Sequence, residues 1–158
     1  MKMRFFFLLA VLLVAASSFA NDFEEGLDAI HGTDYDKAIE KLRPLALEGH
    51  AAAQYNLGVM YEWGNGVPQN DVEAMKWYRL SAGQSHRDAQ NNLGAMYSKG
   101  EGVAQNFVEA LKWFVVSADN GSEGGRKNID IVEKRMTSRQ ITQAKKLARE
   151  WIKQHPKK

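Results

Sequence analysis

Histidine, the side chain best suited to metal binding and proton transfer near neutral pH, occurs four times in the sequence. His50 and His86 are 36 residues apart, and each lies in a turn before a predicted helix. In neighbouring helical units, packing distances of about 8–10 Å would keep the two rings apart. Two imidazoles on one zinc each lie about 2 Å from the metal. The spacing therefore indicates two equivalent structural residues, and His31 and His155 show no partner in the sequence.

Two glycine pairs have a spacing that invites comparison with phosphate-binding loops: Gly64 with Gly66, and Gly100 with Gly102. Such a loop follows a β-strand and needs a third glycine, or Lys followed by Ser or Thr where the helix begins. Neither feature is present around these glycines. The pairs therefore predict tight turns between helices.

These glycines belong to a 36-residue unit that occurs twice between Ala51 and Ser122. A shift of 36 aligns AQYNLGVMYEWGNGVPQNDVEAMKWYRLSA with AQNNLGAMYSKGEGVAQNFVEALKWFVVSA, and nineteen positions coincide. A period between about 20 and 50 residues is typical of arrays in which each unit buries its apolar face against a neighbour. The sequence thus predicts a stack of similar units.

The repeated pattern resembles the Sel-one-like repeat, an α/α relative of the tetratricopeptide repeat. It reads A-x-x-x-L-G-x-x-Y-x-x-G-x-G-V, then E-A-x-K-W and S-A, and each matching residue recurs 36 positions later. The matching residues of the first copy are Ala53, Leu57, Gly58, Tyr61, Gly64, Gly66, Val67, Glu73, Ala74, Lys76, Trp77, Ser81 and Ala82. The resemblance implies an all-α fold, a short right-handed α/α solenoid of about three helix-turn-helix repeats with a C-terminal capping helix.

The first twenty residues differ in character from the rest. Lys2 and Arg4 precede an apolar run over residues 5–16, and Ser18 and Ala20 are the small residues that a signal peptidase requires. Residues 1–20 are therefore predicted to be a signal peptide, leaving a periplasmic or secreted protein with no transmembrane segment after cleavage. The chain has no cysteine, which excludes structural disulfides and zinc-thiolate sites.

The remaining chain divides into four predicted parts. Residues 21–50 form a degenerate N-terminal helical hairpin, residues 51–86 and 87–122 are the two full repeats, and residues 123–158 combine a degenerate repeat with a basic capping helix. Within the repeats, Tyr61 and Trp77 are expected to fill the space between helices, because aromatic residues at helical spacing usually pack in a core.

Charge is distributed unevenly along the chain. Residues 21–122 contain 8 Lys and Arg against 15 Asp and Glu, whereas residues 123–158 contain 11 against 4. The mature chain is therefore neutral overall, which argues against nucleic acid as a partner. One side of the last predicted helix is expected to form a basic surface that contacts an acidic protein or the anionic cell envelope. Its residues are Arg139, Lys146, Arg149 and Lys153.

Positions that differ between the two copies suggest where a partner binds. Shared positions are demanded by stacking, whereas differing positions are available for something specific. In the first helix of each repeat the differing positions fall on one helical face, and repeats of this class use that concave side to hold peptides or helices. The predicted partner groove consists of Tyr55, Val59, Glu62, Trp63, Asn91, Ala95, Ser98 and Lys99. The competing interpretation is neutral drift on a solvated face, or packing of Trp63 against the N-terminal hairpin.

The predicted function is a non-enzymatic adaptor of the cell envelope or the exterior that binds a protein or peptide and needs no cofactor. The alternative is a cell-wall enzyme that binds or hydrolyses β-lactams or peptidoglycan, since some cysteine-rich exported relatives are associated with that chemistry. Such chemistry ordinarily uses a Ser-x-x-Lys motif. No serine in this chain has lysine three residues later, which favours the adaptor.

Overall fold

The computed structural model describes residues 20–156, and every regular element among them is an α-helix. The predicted signal peptide thus lies almost wholly outside the described residues. The predicted all-α repeat fold is confirmed. The helices are α1 (20–31), α2 (Tyr35–Leu47), α3 (Ala51–Trp63), α4 (Asp71–Gly83), α5 (Arg87–Lys99), α6 (Phe107–Asp119), α7 (Glu123–Glu133) and α8 (Ser138–Gln154).

Polar residues fix where the repeat helices begin, and glycines fix where the first helix of each repeat ends. Asn70 and Asn106 cap α4 and α6 by accepting backbone amides with their side chains. Gly64 and Gly100 end α3 and α5 in the left-handed conformation, with φ of 69° and 82°. Non-glycine residues adopt that conformation only at a cost, which explains the repeated glycine. The prediction that these glycines form inter-helix turns is confirmed.

Shared residues make the same contacts in both repeats. Ser81 Oγ donates to the carbonyl of Ala51 at 2.8 Å, and Ser117 Oγ donates to that of Arg87 at the same distance. Gln54 and Gln90 are buried, and their side-chain amides donate to carbonyls of the preceding helix at 3.0 Å. Burying polar groups is tolerated because each finds a partner. These coinciding positions thus hold the helices together in the same way in both repeats.

A glycine in the first helix of each hairpin lets a large side chain of the second helix pass underneath. A Cβ atom added at any of these glycines would lie 2.6–2.7 Å from that side chain, closer than van der Waals contact allows. The pairs are Gly26 with Leu42, Gly58 with Tyr78, and Gly94 with Phe114. This common contact shows that α1 occupies the same place in its hairpin as α3 and α5 do in theirs.

The expected core aromatics are only half-buried. Tyr61 and Trp77 pack against core clusters, and the hydroxyl of Tyr61 accepts from Arg43 at 3.2 Å. The aromatic residue that is fully enclosed is Tyr78, which has no exposed surface. Periodicity alone indicated Tyr61 and Trp77 and did not indicate Tyr78, because it could not show which side chain lies beneath the glycine.

The C-terminal part differs from a full repeat. Ser122 caps α7, and Gly125 lies so close to α6 that a Cβ there would be 2.9 Å from the amide nitrogen of Ala118. Helix α8 begins at a capping box formed by Thr137 and Gln140, and it packs along α6. Ala144 of α8 is fully buried in the cluster that also contains Leu111 and Phe114 of α6.

Candidate functional site

The first helices of successive hairpins, α1, α3, α5 and α7, border a surface that we call the A-helix groove. Direct side-chain contacts join neighbouring members. The rings of Tyr55 on α3 and His86 at the start of α5 are stacked with centroids 4.7 Å apart. Asn128 on α7 donates to Asn91 on α5 at 2.9 Å. The groove therefore consists of a series of clefts between adjacent helices, each with a floor supplied by the second helix of a hairpin.

A polar group occupies the bottom of the cleft between α3 and α5. The hydroxyl of Tyr78 donates to Oε2 of Glu62 at 2.5 Å and accepts from Nδ2 of Asn92 at 3.1 Å. Burial, and then the hydrogen bond to Glu62, raise the pKa of Tyr78 far above its usual value. Among residues 20–156, no basic side chain forms an ion pair with Glu62. The cleft thus presents a carboxylate oriented by a buried phenol and without a counter-ion.

Tyr55 and Val59 form a wall of this cleft and also take part in stacking. Both are half-buried against the cluster that joins the two repeats, and the ring centroid of Tyr55 lies 5.9 Å from that of Tyr78. Burial, followed by the nearby charges of Asp88 and Glu62, raises the pKa of Tyr55. The premise that differing positions are free of stacking is therefore wrong for Tyr55 and Val59. Their exposed portions still border the cleft.

The two equivalent histidines are structural, as their spacing indicated. Nδ1 of His50 accepts the amide of Ala53 at 3.2 Å, and Nδ1 of His86 accepts that of Ala89 at 3.3 Å. Each histidine therefore caps a helix in the way that Ser or Asp usually does. Burial lowers the pKa of His86, which keeps the Nδ1 lone pair available as an acceptor.

The cleft between α5 and α7 brings together the second set of predicted groove residues. Asn91 accepts the bond from Asn128, and Ala95 is half-buried against the third core cluster. Ser98 is half-buried, and its backbone carbonyl accepts from the side chain of Gln105 at 2.8 Å. The floor is Phe114, which lacks the hydroxyl of Tyr78. At the positions equivalent to Tyr55 and Glu62, this cleft has Asn91 and Ser98. It therefore offers polar but uncharged groups.

Trp63 and Lys99 lie at the ends of α3 and α5, away from the cleft floors. Trp63 is 69% exposed, an unusual state for the largest apolar side chain. Lys99 is exposed and forms an ion pair with Glu101 at 3.3 Å. The alternative in which Trp63 packs against the N-terminal hairpin is not supported by this exposure.

The predicted basic surface lies on the outer side of α8. All four of its residues are exposed: Arg139, Lys146, Arg149 and Lys153. Lys146 has a carboxylate nearby, that of Glu150 at 3.9 Å on the next turn. Arg139 and Lys146 also line a shallow open depression together with Thr142.

Two groove residues were not found from the sequence. Tyr78 lies on the second helix of its hairpin, outside the face that the comparison of copies considered. Asn92 is identical in both copies and was therefore assigned to stacking. A usable signal was present, since Tyr78 becomes Phe114 where Glu62 becomes Ser98. A hydroxyl that appears and disappears together with a carboxylate indicates a hydrogen-bonded pair.

Residues 20–156 contain no group of three or more His, Asp and Glu side chains placed to hold a metal ion. None of the helices in this part of the chain has the length and apolar character needed to cross a membrane.

Stacked helical hairpins with repeated contacts and a groove along their first helices define an α/α repeat solenoid. The Sel1 repeat family model matches residues 51–86 and 87–122. The chain accordingly contains two Sel1 repeats, which make up its central part. Proteins with Sel1 repeats generally mediate protein–protein interaction, and the scaffold is typically non-catalytic.

The chain is similar to two solved structures and to one protein compared by sequence. The chain is similar to a protective antigen of uropathogenic Escherichia coli with an SLR fold, at 32% identity and a TM-score of 0.82, covering 87% of this chain and 30% of that one. A Sel1 repeat protein from Oxalobacter formigenes is 28% identical with a TM-score of 0.67, and the match covers 80% of this chain and 54% of that protein. An exopolysaccharide production negative regulator of Rhizobium meliloti (strain 1021) is 39% identical over 62 residues, which are 39% of this chain and 23% of the regulator. The chain thus spans about a quarter to a half of these proteins.

Proposed function

We propose that this protein is a non-enzymatic adaptor that binds a segment of another protein in the A-helix groove. The observation that supports it most is the combination of exposed and half-buried side chains along that groove. Trp63 is exposed, Tyr55 and Val59 are half-exposed, and Glu62 is held in place by the buried Tyr78. Aromatic residues on a rigid support are the usual energetic centres of protein interfaces.

The groove has the rigidity that binding requires. Its floor is a buried tyrosine with both hydrogen bonds made, and its wall is stacked on a helix-capping histidine. Binding of a partner would therefore immobilise few side chains that are mobile in the free protein, which reduces the entropic cost of association.

We place the adaptor in the periplasm or outside the cell, because residues 1–20 have the composition of a cleaved export signal. N-terminal sequencing of the protein from the producing cell tests this placement. The expected first residue is Asn21, and a protein that retains Met1 would contradict it.

A second contact is proposed for the basic surface on α8. Its four exposed cationic residues face away from α6, and the C-terminal part carries the excess of positive charge. An acidic protein or the anionic envelope surface is the partner that this charge fits, and salt should weaken the contact.

Affinity capture from the envelope fraction tests the main proposal. Wild-type protein should retain a partner that the Tyr55→Ala/Trp63→Ala double variant loses. Because Tyr55 also packs against the second repeat, the single variant Trp63→Ala is included to leave the stacking intact. The matched control is Val72→Ala/Leu80→Ala, which removes exposed apolar side chains of α4. Equal capture by folded groove variants and wild type would refute the proposed binding surface.

A further inference from the structure

The three clefts of the A-helix groove share one geometry but differ in chemistry. The glycine contacts align them, because Leu42, Tyr78 and Phe114 occupy equivalent places under α1, α3 and α5. The contact of Phe23 with His50, with ring centroids at 4.6 Å, matches that of Tyr55 with His86 at 4.7 Å. Equivalent positions can therefore be compared directly within one molecule.

The first cleft, between α1 and α3, is apolar at the positions where the second cleft holds its tyrosines and carboxylate. In this alignment Phe23 and Ile30 take the places of Tyr55 and Glu62, and Leu42 is the floor. Phe23 and Ile30 are both partly buried against the first core cluster, so each retains some exposed surface. At these three positions the cleft offers an apolar side chain no hydroxyl or carboxylate to desolvate.

The second cleft carries a carboxylate with specific support. Glu62 accepts from the buried Tyr78, and Asn92 completes the hydrogen bonding of that hydroxyl. A fully buried hydroxyl is costly unless it is paired, whereas the equivalent Phe114 avoids the cost. The polar arrangement therefore exists in one cleft only, and it leaves the charge of Glu62 uncompensated within the described part of the chain.

The charge around this cleft is predominantly acidic. Residues 21–122 carry seven more acidic than basic side chains. Asp88 lies close enough to Tyr55 to raise its pKa, and Asp88 itself is paired with the exposed Arg87 at 3.8 Å. A cationic side chain would be attracted by this field and could pair with Glu62 beside the ring of Tyr55. Arginine fits best, because its planar guanidinium pairs with carboxylates and stacks on aromatic rings.

We propose that the groove selects an extended protein segment with a basic residue, preferably arginine, in the second cleft and an apolar residue in the first. The third cleft, with Asn91, Ser98 and Asn128, would take a polar residue. Packed helices lie about 10 Å apart, and an extended chain advances about 3.3 Å per residue. Adjacent clefts are therefore separated by about three residues of the segment. This inference rests on the proposed function, since it specifies the partner of the same groove.

Selection from a phage-displayed library of random twelve-residue peptides tests the inference. Purified wild-type protein should enrich peptides with Arg or Lys about three positions from an apolar residue. Glu62→Gln keeps an acceptor oxygen for Tyr78 but loses the charge, so it should bind the selected peptides about tenfold more weakly. Glu73→Gln is the matched control, because it removes an equal charge on the second helix of the hairpin, and it should bind as wild type does.

Each outcome has a definite meaning. Groove-dependent peptides without basic residues, or unchanged binding by Glu62→Gln, would overturn the inference while leaving the proposed function in place. If wild-type protein selects no peptide, or if the selected peptides bind Tyr55→Ala/Trp63→Ala equally well, the proposed function fails and the inference fails with it.

Discussion

The close contact between Gly58 and Tyr78 allows a quantitative test of how the repeats nest. A Cβ atom at residue 58 would lie 2.6 Å from Cδ1 and Cε1 of the tyrosine ring, about 1 Å inside normal contact. The ring cannot retreat, because Tyr78 is fully buried and its hydroxyl is held by Glu62 and Asn92. Overpacking of this kind costs about 1–3 kcal/mol, and the higher helix propensity of alanine offsets up to about 1 kcal/mol. Gly58→Ala should therefore lower the free energy of unfolding by about 1–2 kcal/mol.

The matched control is Gly83→Ala. Gly83 lies in the last turn of α4, where an added Cβ meets no atom within 4 Å. That substitution should be neutral or raise the free energy of unfolding by up to about 1 kcal/mol. Urea unfolding followed by circular dichroism at 222 nm measures both, and Gly58→Ala should also lower Tm by about 4–8 °C. The reasoning is refuted if Gly58→Ala is as stable as wild type, or if Gly83→Ala is equally destabilised.

Three further predictions concern a hydroxyl, a cap and a charged surface. Tyr78→Phe should lower the free energy of unfolding by about 1–3 kcal/mol, and by less when Glu62 is already replaced by Gln. Urea unfolding of the two single variants and the double variant measures both costs, and equal costs would exclude an energetic coupling between Tyr78 and Glu62. Burial lowers the pKa of His86 below 6.5, so the unfolded chain takes up the proton first as the pH falls. The contribution of His86 to the stability of the fold is therefore complete above pH 6.5, and it is lost as the pH drops through that value toward the lowered pKa. His86→Asn replaces the capping Nδ1 with a side-chain oxygen that does not titrate. Thermal unfolding of this variant between pH 7.5 and 5 should therefore show a flatter dependence on pH than wild type, and an unchanged slope would contradict this origin. Replacing the four residues of the basic surface with glutamine should abolish salt-sensitive sedimentation with phosphatidylglycerol vesicles. Equal sedimentation by this variant and wild type would contradict the proposed contact of Arg139, Lys146, Arg149 and Lys153.

The repeated residues made the fold predictable. Ser81 and Ser117 recur because each ties its helix to the start of the first helix in its own hairpin. Gly64 and Gly100 recur because both adopt positive φ. Comparing two copies within one chain thus exposed positions fixed by packing, and it indicated the helices, their turns and the stacking without further information.

The site was less accessible to the same reasoning. A residue can differ between copies and still take part in stacking, as Tyr55 does when it packs on His86 while its counterpart Asn91 bonds to Asn128. The periodic pattern also placed Glu62 on the groove without indicating which side chain would orient it. That information depends on how Tyr78 passes beneath the first helix of its own hairpin and reaches the first helix of the next. Tyr78 reaches Asn92 across 14 residues of sequence, and only the packed arrangement brings them together.

Photocrosslinking in the native cell is the most direct test of whether the A-helix groove is the working surface. A photoreactive p-benzoylphenylalanine placed at Trp63 would sit at the exposed end of α3, and the same group placed at Leu80 would sit at an exposed position of α4. The account predicts a discrete crosslinked partner from position 63 and none from position 80. Crosslinking from position 80 but not from position 63 would show that the partner binds elsewhere on the solenoid.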